Sequence, residues 1–463
     1  LARARAAVAP VAPEVLQRLV LERAGLGEAG SGVDALAEAL AALEGVWLPA
    51  DLWESVVLPA RVADYRPAML DELIASGEVV WQVRPVSDAT SRSDAARVRN
   101  GAADVPAPGE IAFFPTDSAL APVVGNALAW AGPRTEQDGD LSEEGSEDER
   151  WRLVREGAAT GRSFEPVRRS LEPAPKVHRA PARRVRSRRS RRSMVAMPQT
   201  GGQTASGRLS SVLSSTSWVR ISAAPASAEE RAIAEAESLL DRYGVVSRDV
   251  ALAFGGAGGL VPLMPVLRRM EDTGAVLRGG FVEGLGPAQF AERETVDRLR
   301  FLGQEPAGAR GSGTGIVLDL KDPACLVGRG PAWPEPALPA GIGKVGIEGE
   351  EAGGAPQRRR GASVVLIDGA PVLYASDSLK VLISYTSERE VLTRALSALA
   401  TARQGALAHE GSPPGRHRTV VESVNGISAL DRTVSDLLRQ AGFVSDPRGM
   451  RLAVGPYGAS FSR

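Results

Sequence analysis

Apolar and polar positions along this chain fall into blocks whose period switches between that of a helix and that of a strand. Apolar residues recur three and four apart over Tyr65–Ser76 and again over Pro262–Thr273. Each run stops at a glycine, Gly77 or Gly274, that can take the left-handed helix-capping conformation. A β-branched, strand-like run follows each glycine directly: Val79–Trp81 after the first, Ala275–Val282 after the second. A shorter amphipathic segment precedes each, Asp51–Leu58 and Ser247–Phe254. Helix, turn, helix, strand pair is the order of a winged helix. A chain that repeats this phrase is expected to bind nucleic acid or protein before it is expected to do chemistry.

The remaining periodicity sets the boundaries. Glu14–Ala24 reads as a helix, giving a tail of a preceding module over 1–32 in what reads as a fragment beginning with Leu1. Val33–Leu43 opens a first winged-helix module over 33–124. A polar insert, Ser87–Pro108, interrupts its wing, and Glu110–Pro115 and Leu120–Val124 return as strands. Next come an acidic linker over 125–149, a partial winged-helix module over 150–172 and a basic, disordered linker over 173–227. A further winged-helix module covers 228–305, with helices Ala228–Tyr243, Val246–Phe254 and Gly259–Thr273, then the wing and Thr295–Leu302. From Ile316 the period drops to two. Strands at Ile316–Leu320, Ser363–Ile367, Pro371–Tyr374 and Lys380–Tyr385, a hairpin at Asp368-Gly369 and a long Gly/Pro loop over Gly328–Gly361 predict a small antiparallel β-sheet or barrel over 306–388. Alternating helix and strand over 389–463 predicts an α+β cap. The expected fold class is therefore α+β: tandem winged-helix modules, a small antiparallel β-sheet/barrel and a C-terminal α+β cap.

Composition narrows the class further. A length of 463 residues suits about three domains of ~150 residues. No stretch of about twenty apolar residues occurs, so no membrane helix is expected. The single cysteine, Cys325, excludes an internal disulfide and a multi-cysteine zinc site, which fits a cytoplasmic setting. The net charge of −1 hides two opposed blocks. Eight acids and no base lie between Glu136 and Glu149, while eleven Lys or Arg and no acid lie between Pro173 and Ala228. Most of the positive charge sits in Arg183, Arg184, Arg186, Arg188, Arg189, Arg191 and Arg192. Such runs cannot bury a core. They read either as solvated linkers that neutralise each other or as a basic arm that contacts phosphates and releases counterions.

Catalytic signals are sparse. Gly341-Ile342-Gly343-Lys344 is followed by Val345 rather than Ser or Thr and lacks the spacing of a phosphate-binding loop, so no ATP hydrolysis is expected of this chain alone. His178, His409 and His417 all fall in loops or linkers. The segment Phe281–Ala291, with two glycines and an amide in an apolar setting, reads first as a structural turn. Its alternative is a pocket where Glu283 or Gln289 meets a nucleotide. Asp322, after the strand Ile316–Leu320, is a third candidate catalytic residue. No metal set is present. For DNA, only the second module offers positive charge where a winged helix meets phosphate: Arg268 and Arg269 on its third helix and Arg278 on its wing. The equivalent helix of the first module carries Asp71 and Glu72 instead, which suits protein better than phosphate.

Taken in order, several stretches resemble the C-terminal region of bacterial large helicase-related (Lhr-type) proteins, superfamily 2 ATP-dependent DNA helicases implicated in DNA repair. They are Leu58–Val62 through Trp81, Leu239–Gly244, Met270–Gly274 through Ala291, Asp322-Pro323-Ala324, Leu366–Leu373 and Gly442–Leu452. Only the acidic spacer and basic linker fall outside the resemblance. The chain departs from the family pattern at Val154–Ser163 and at Cys325, where the family has Asn. The resemblance implies a string of winged helices with a small barrel like that of AlkZ-type glycosylases, DNA as partner, self-assembly into homo-oligomers, and an upstream motor that alone needs ATP and magnesium. No cofactor is implied for this chain. Two further readings stand beside it, an AlkZ-like uracil DNA glycosylase and a winged-helix transcription regulator.

Overall fold

The computed structural model describes residues 9–84, 109–121, 147–156, 159–171, 218–220, 226–255, 258–304, 313–342, 355–409 and 420–452. The acidic linker up to residue 146, the Arg183–Arg192 run, the wing insert Ser87–Pro108 and residues 122–124 lie outside this set.

Helix α1 (Pro13–Arg23) precedes the first module, which opens with α2 (Gly32–Ala42). A two-residue strand β1 (Leu48–Pro49) leads into α3 (Ala50–Leu52), which widens into a π-helical stretch over Trp53–Val57. The third helix of the module is α4 (Pro67–Ser76), followed by β2 (Val79–Arg84) and β3 (Glu110–Pro115). Proline at the first turn of α4 costs no hydrogen bond, and Gly77 ends it at φ 83°, the conformation the sequence calls for. The sheet order is β1-β3-β2, so the strand between the first two helices joins the wing pair at its edge. Trp81 and Val83 face the helices, while Val80 and Phe114 form a smaller apolar patch on the other side. This is the period-two pattern of a sheet packed on one face. Leu120 and Ala121, the described start of the strand expected over Leu120–Val124, instead lie in a turn that places Leu120 on that second face.

Four more elements share the first module's core. They are α5 (Glu147–Arg155), β4 (Ala159–Gly161), α6 (Glu165–Leu171) and β5 (Trp218–Arg220), with β4 and β5 paired antiparallel. Trp81 is the hub: its ring lies 5.9 Å from Phe164, 6.1 Å from Trp218 and 6.4 Å from Trp151. Edge and tilted packing at these separations adds to the stability that burial of the rings already gives.

The second module repeats the plan: α7 (Ala228–Tyr243), β6 (Val245–Val246), α8 (Arg248–Phe254), α9 (Met264–Thr273), β7 (Leu277–Gly279) and β8 (Gln289–Ala291), in sheet order β6-β8-β7. Ser227 and Glu230 form a reciprocal capping box at the start of α7. Ser247 caps α8, and Gly274 ends α9 at φ 82°. Helix α10 (Arg293–Gly303) follows.

Strands β9 (Ile316–Asp319), β10 (Ser363–Ile367), β11 (Ala370–Ala375) and β12 (Val381–Ser384) pair antiparallel in sequence. Helix α11 (Arg389–His409) and strand β13 (Val420–Val421) come next, then β14 (Ser423–Val424) and β15 (Ile427–Ser428). Strand β14 joins β12 in parallel, giving the order β15-β14-β12-β11-β10-β9. This sheet is open, with β15 and β9 as its edges, so the barrel alternative is set aside. All five residues of β10 are buried because both sheet faces are covered. Val364 and Leu366 point to the core shared with α1 and the second module, and Val365 and Ile367 to the core under α11. The β10–β11 hairpin turns at Asp368 (φ 51°) and Gly369 (φ 81°), both left-handed as a tight two-residue turn requires. Glycine is also needed there for contact: a Cβ on Gly369 would sit 2.1 Å from the Glu14 carbonyl oxygen of α1. Finally α12 (Arg432–Gln440), β16 (Phe443–Asp446) and β17 (Gly449–Leu452) close the cap, with β13 beside β17. No helix among the described residues is long and apolar enough to cross a membrane.

Candidate nucleic-acid interface

Helix α9 anchors itself through buried Leu267, while Val261, Pro265, Arg268, Arg269 and Asp272 are exposed. Those five positions recur three and four apart, so one outward stripe runs from apolar to basic to acidic. Among the described residues the Arg268 side chain makes no ion pair or hydrogen bond. Arg269 Nη1 pairs with Glu229 Oε1 of α7 at 2.9 Å, with the two side chains 74% and 67% exposed. A pair that open to water is worth well under about 1 kcal/mol, so Arg269 can be released to a phosphate at little cost. On β7 the exposed Arg278 guanidinium lies 5.7 Å from the Phe290 ring centre, which orients the charge without neutralising it.

The wing that carries Arg278 is held by one amide. Gln289 Oε1 accepts from the backbone nitrogens of Phe281 (2.8 Å) and Val282 (2.9 Å). Its Nε2 donates to the carbonyls of Val282 and Gly286, both at 2.8 Å. Four bonds saturate a side chain that is 1% exposed, which leaves nothing to read a ligand. Glu283 sits on the solvent side of the wing, and its backbone nitrogen donates to the Val11 carbonyl at 2.9 Å.

The matching face of the first module is occupied by protein. Arg168 of α6 donates through Nη1 to Asp71 Oδ2 on α4 (2.7 Å) and through Nε and Nη2 to Glu54 (2.8 and 3.0 Å). Asp71 Oδ1 also accepts from the Phe164 backbone nitrogen at 2.7 Å. Tyr65 donates its hydroxyl to Glu54 at 2.6 Å, and burial beside that carboxylate pushes the phenol well above its ordinary range. Of the two acids that make α4 unsuitable for phosphate, Asp71 thus docks α6, while Glu72 stays exposed. The basic run Arg183–Arg192 lies outside the described residues, but the elements on either side of it, α6 and β5, both enter the first module's core.

Asp322 is fully buried and forms a two-point ion pair with Arg61, Nη1 to Oδ2 and Nη2 to Oδ1, each at 2.9 Å. Its Oδ1 also accepts from the Ala324 nitrogen at 2.8 Å. Arg61 adds a bond to the Val57 carbonyl. This arrangement joins the first module to the loop after β9. A cleft of about 220 Å³ opens nearby between the two modules, lined among others by Glu44, Trp47, Arg84, Glu110, Glu235 and Lys321. Arg84 lies over the Trp47 ring at 4.6 Å and pairs with Glu110 at 2.8 Å. The three candidate catalytic residues therefore occupy a buried latch, a saturated wing staple and an exposed turn. The basic trio Arg268, Arg269 and Arg278 falls within one module, on its third helix and wing. Arg61, Arg168 and Arg242 escaped the sequence reading because their partners lie far away in the chain.

Residues 225–310 match the family model for a winged-helix domain of large helicase-related protein, the fourth of that protein, and residues 11–99 match the third. The Lhr helicase/uracil glycosylase of Escherichia coli strain K12 is 33% identical over 478 residues, covering 96% of this chain and 29% of that protein. The Lhr helicase/probable uracil glycosylase of Mycolicibacterium smegmatis is 34% identical over 480 residues, covering 98% of this chain and 29% of that protein. This chain therefore spans less than a third of the length of these relatives. Both winged-helix matches fall, in order, on the two repeats built above, and with these alignments they establish that the chain belongs to the large helicase-related family.

Proposed function

We propose that this chain is the DNA-binding region of an Lhr-type helicase, in which the second winged helix holds DNA through phosphate and the first serves as a protein platform. The contrast between the two third helices carries the reading: α9 presents Arg268 and Arg269 to solvent, while Asp71 of α4 is taken by Arg168. In a winged helix the third helix enters a groove and the wing touches the backbone, which is where Arg278 sits. Contacts of this type position a protein with little sequence preference. ATP and magnesium belong, in this reading, to the motor of the parent helicase, and DNA repair is the setting.

The test is the triple variant Arg268→Ala, Arg269→Ala, Arg278→Ala. It should bind duplex more weakly, with a salt slope lower by about two to three phosphates. Unchanged affinity and slope, with both abolished by deleting Arg183–Arg192, would assign DNA to the arm alone.

A second reading, base excision, is favoured by the cleft between the modules, where Glu44, Glu110 and Glu235 surround an aromatic and cationic wall. The names of both relatives pair helicase with uracil glycosylase. Release of uracil from a uracil-containing oligonucleotide, lost on Glu235→Gln, would move the chemistry to this cleft. An intact oligonucleotide would remove the reading.

A further inference from the structure

The leading end of α9 carries an apolar tip that phosphate contact does not use. Val261 is 78% exposed, the most exposed large apolar side chain among the described residues, and Leu252 of α8 is 60% exposed. Both border the glycine-rich turn between α8 and α9. Gly259 packs so closely there that a Cβ would lie 2.7 Å from Leu252 Cδ2. The same Gly259 has φ +57°, so the turn holds a shape that other residues adopt only with strain. Pro262 and Pro265 are exposed beside Val261 and stiffen the approach to the helix. The backbone already turns helically from Leu260, since Met264 N donates to the Leu260 carbonyl at 3.1 Å.

Exposed apolar side chains are ordinary when scattered. Here two of the five exposed large ones flank one turn. Val261 lies about two turns ahead of Arg268 and Arg269, at the leading end of the helix that a winged helix puts deepest into DNA. Leu252 of α8 lies against Gly259 just before it. Arg248 adds a further exposed cation at the start of α8. An exposed apolar tip on the two helices that also carry exposed Arg248, Arg268 and Arg269 fits a base step better than a protein surface: the cations hold phosphates while the tip covers a base face. We propose that Leu252 and Val261 form a wedge that packs on unstacked bases, so that the second module favours a duplex–single-strand junction over intact duplex. This rests on the DNA-binding reading above and names the substrate class of that site.

The experiment uses the whole chain and two DNAs of equal length, a blunt duplex and a duplex with a single-stranded tail. 2-Aminopurine is placed at the junction. Wild type should favour the junction several-fold and raise the 2-aminopurine fluorescence on binding. Leu252→Ser with Val261→Ser should keep the melting temperature and blunt-duplex affinity, lose the preference and leave the fluorescence low. The Arg268/Arg269/Arg278 triple variant should lose both DNAs in parallel. A serine variant that keeps the junction preference and signal overturns the wedge and leaves the DNA-binding reading intact. A triple variant that binds as wild type overturns both. A serine variant changed only in self-association makes the tip a protein contact and likewise overturns the wedge.

Discussion

Two buried residues far apart in the sequence tie the first module to the loop after β9. Arg61 and Asp322 are 3% and 0% exposed and meet in two parallel bonds. Breaking such a pair leaves a buried charge without a partner and costs about 3–5 kcal/mol, whereas replacing both by apolar residues of similar size is close to neutral. Asp322→Ala should therefore lower the free energy of unfolding by that amount, and Arg61→Met combined with Asp322→Leu should recover most of it. A loss below about 1 kcal/mol for Asp322→Ala in urea titration would show that water reaches Arg61. Gln289 is the second such residue. Gln289→Ala strands the backbone groups of Phe281, Val282 and Gly286, at about 1–3 kcal/mol for each that stays buried. Faster amide exchange at Phe281 and Val282 is the expected signature, and unchanged exchange there would contradict it. Neither role is legible in local sequence. Gln289 reads equally well as a ligand-binding amide until its four partners are seen, and the partner of Asp322 lies 261 residues away.

At the scale of elements, two helices with the same place in the same fold have opposite uses. Both α4 and α9 start with proline in the first turn and end in a left-handed glycine, and these signals are short-range, so the sequence reveals them. The strands around Asp368-Gly369 are legible for the same reason. The openness of the larger sheet is not, since it depends on β14 pairing with β12 across α11. The acidity of α4 predicts a protein partner but not which one. The partner is α6, through Arg168, whose side chain is 18% exposed. Charged hydrogen bonds of this kind contribute about 1.5–3 kcal/mol when largely sheltered from water. Arg168→Ala should lower stability by that order and open α6 to protease, yet leave duplex affinity untouched. Weaker duplex binding by Arg168→Ala, at unchanged folded fraction, would argue that the α4 side meets DNA after all.

Among the described residues the two winged-helix modules belong to separate apolar cores, beside the core under α11. One unites the first module with α5, α6 and the β4–β5 pair; another unites α1, the second module and one face of the larger sheet. Several of the contacts that join these bodies are polar. Beside Arg61–Asp322, Arg242 of α7 donates to the carbonyls of Ala42 (2.9 Å) and Glu44 (2.7 Å), and Arg360 pairs with Asp51. The modules are thus oriented by a few directional bonds, which favours one relative placement over many. Such a frame leaves Arg268 and Arg269 of one third helix open to solvent and holds Asp71 of the other against α6. The most direct measurement is hydrogen–deuterium exchange of the whole chain with and without saturating duplex. Slower exchange in residues 260–282, covering α9 and the wing, with no change over residues 67–76 of α4, is the result predicted here. Protection of 67–76 with 260–282 unaltered would contradict it.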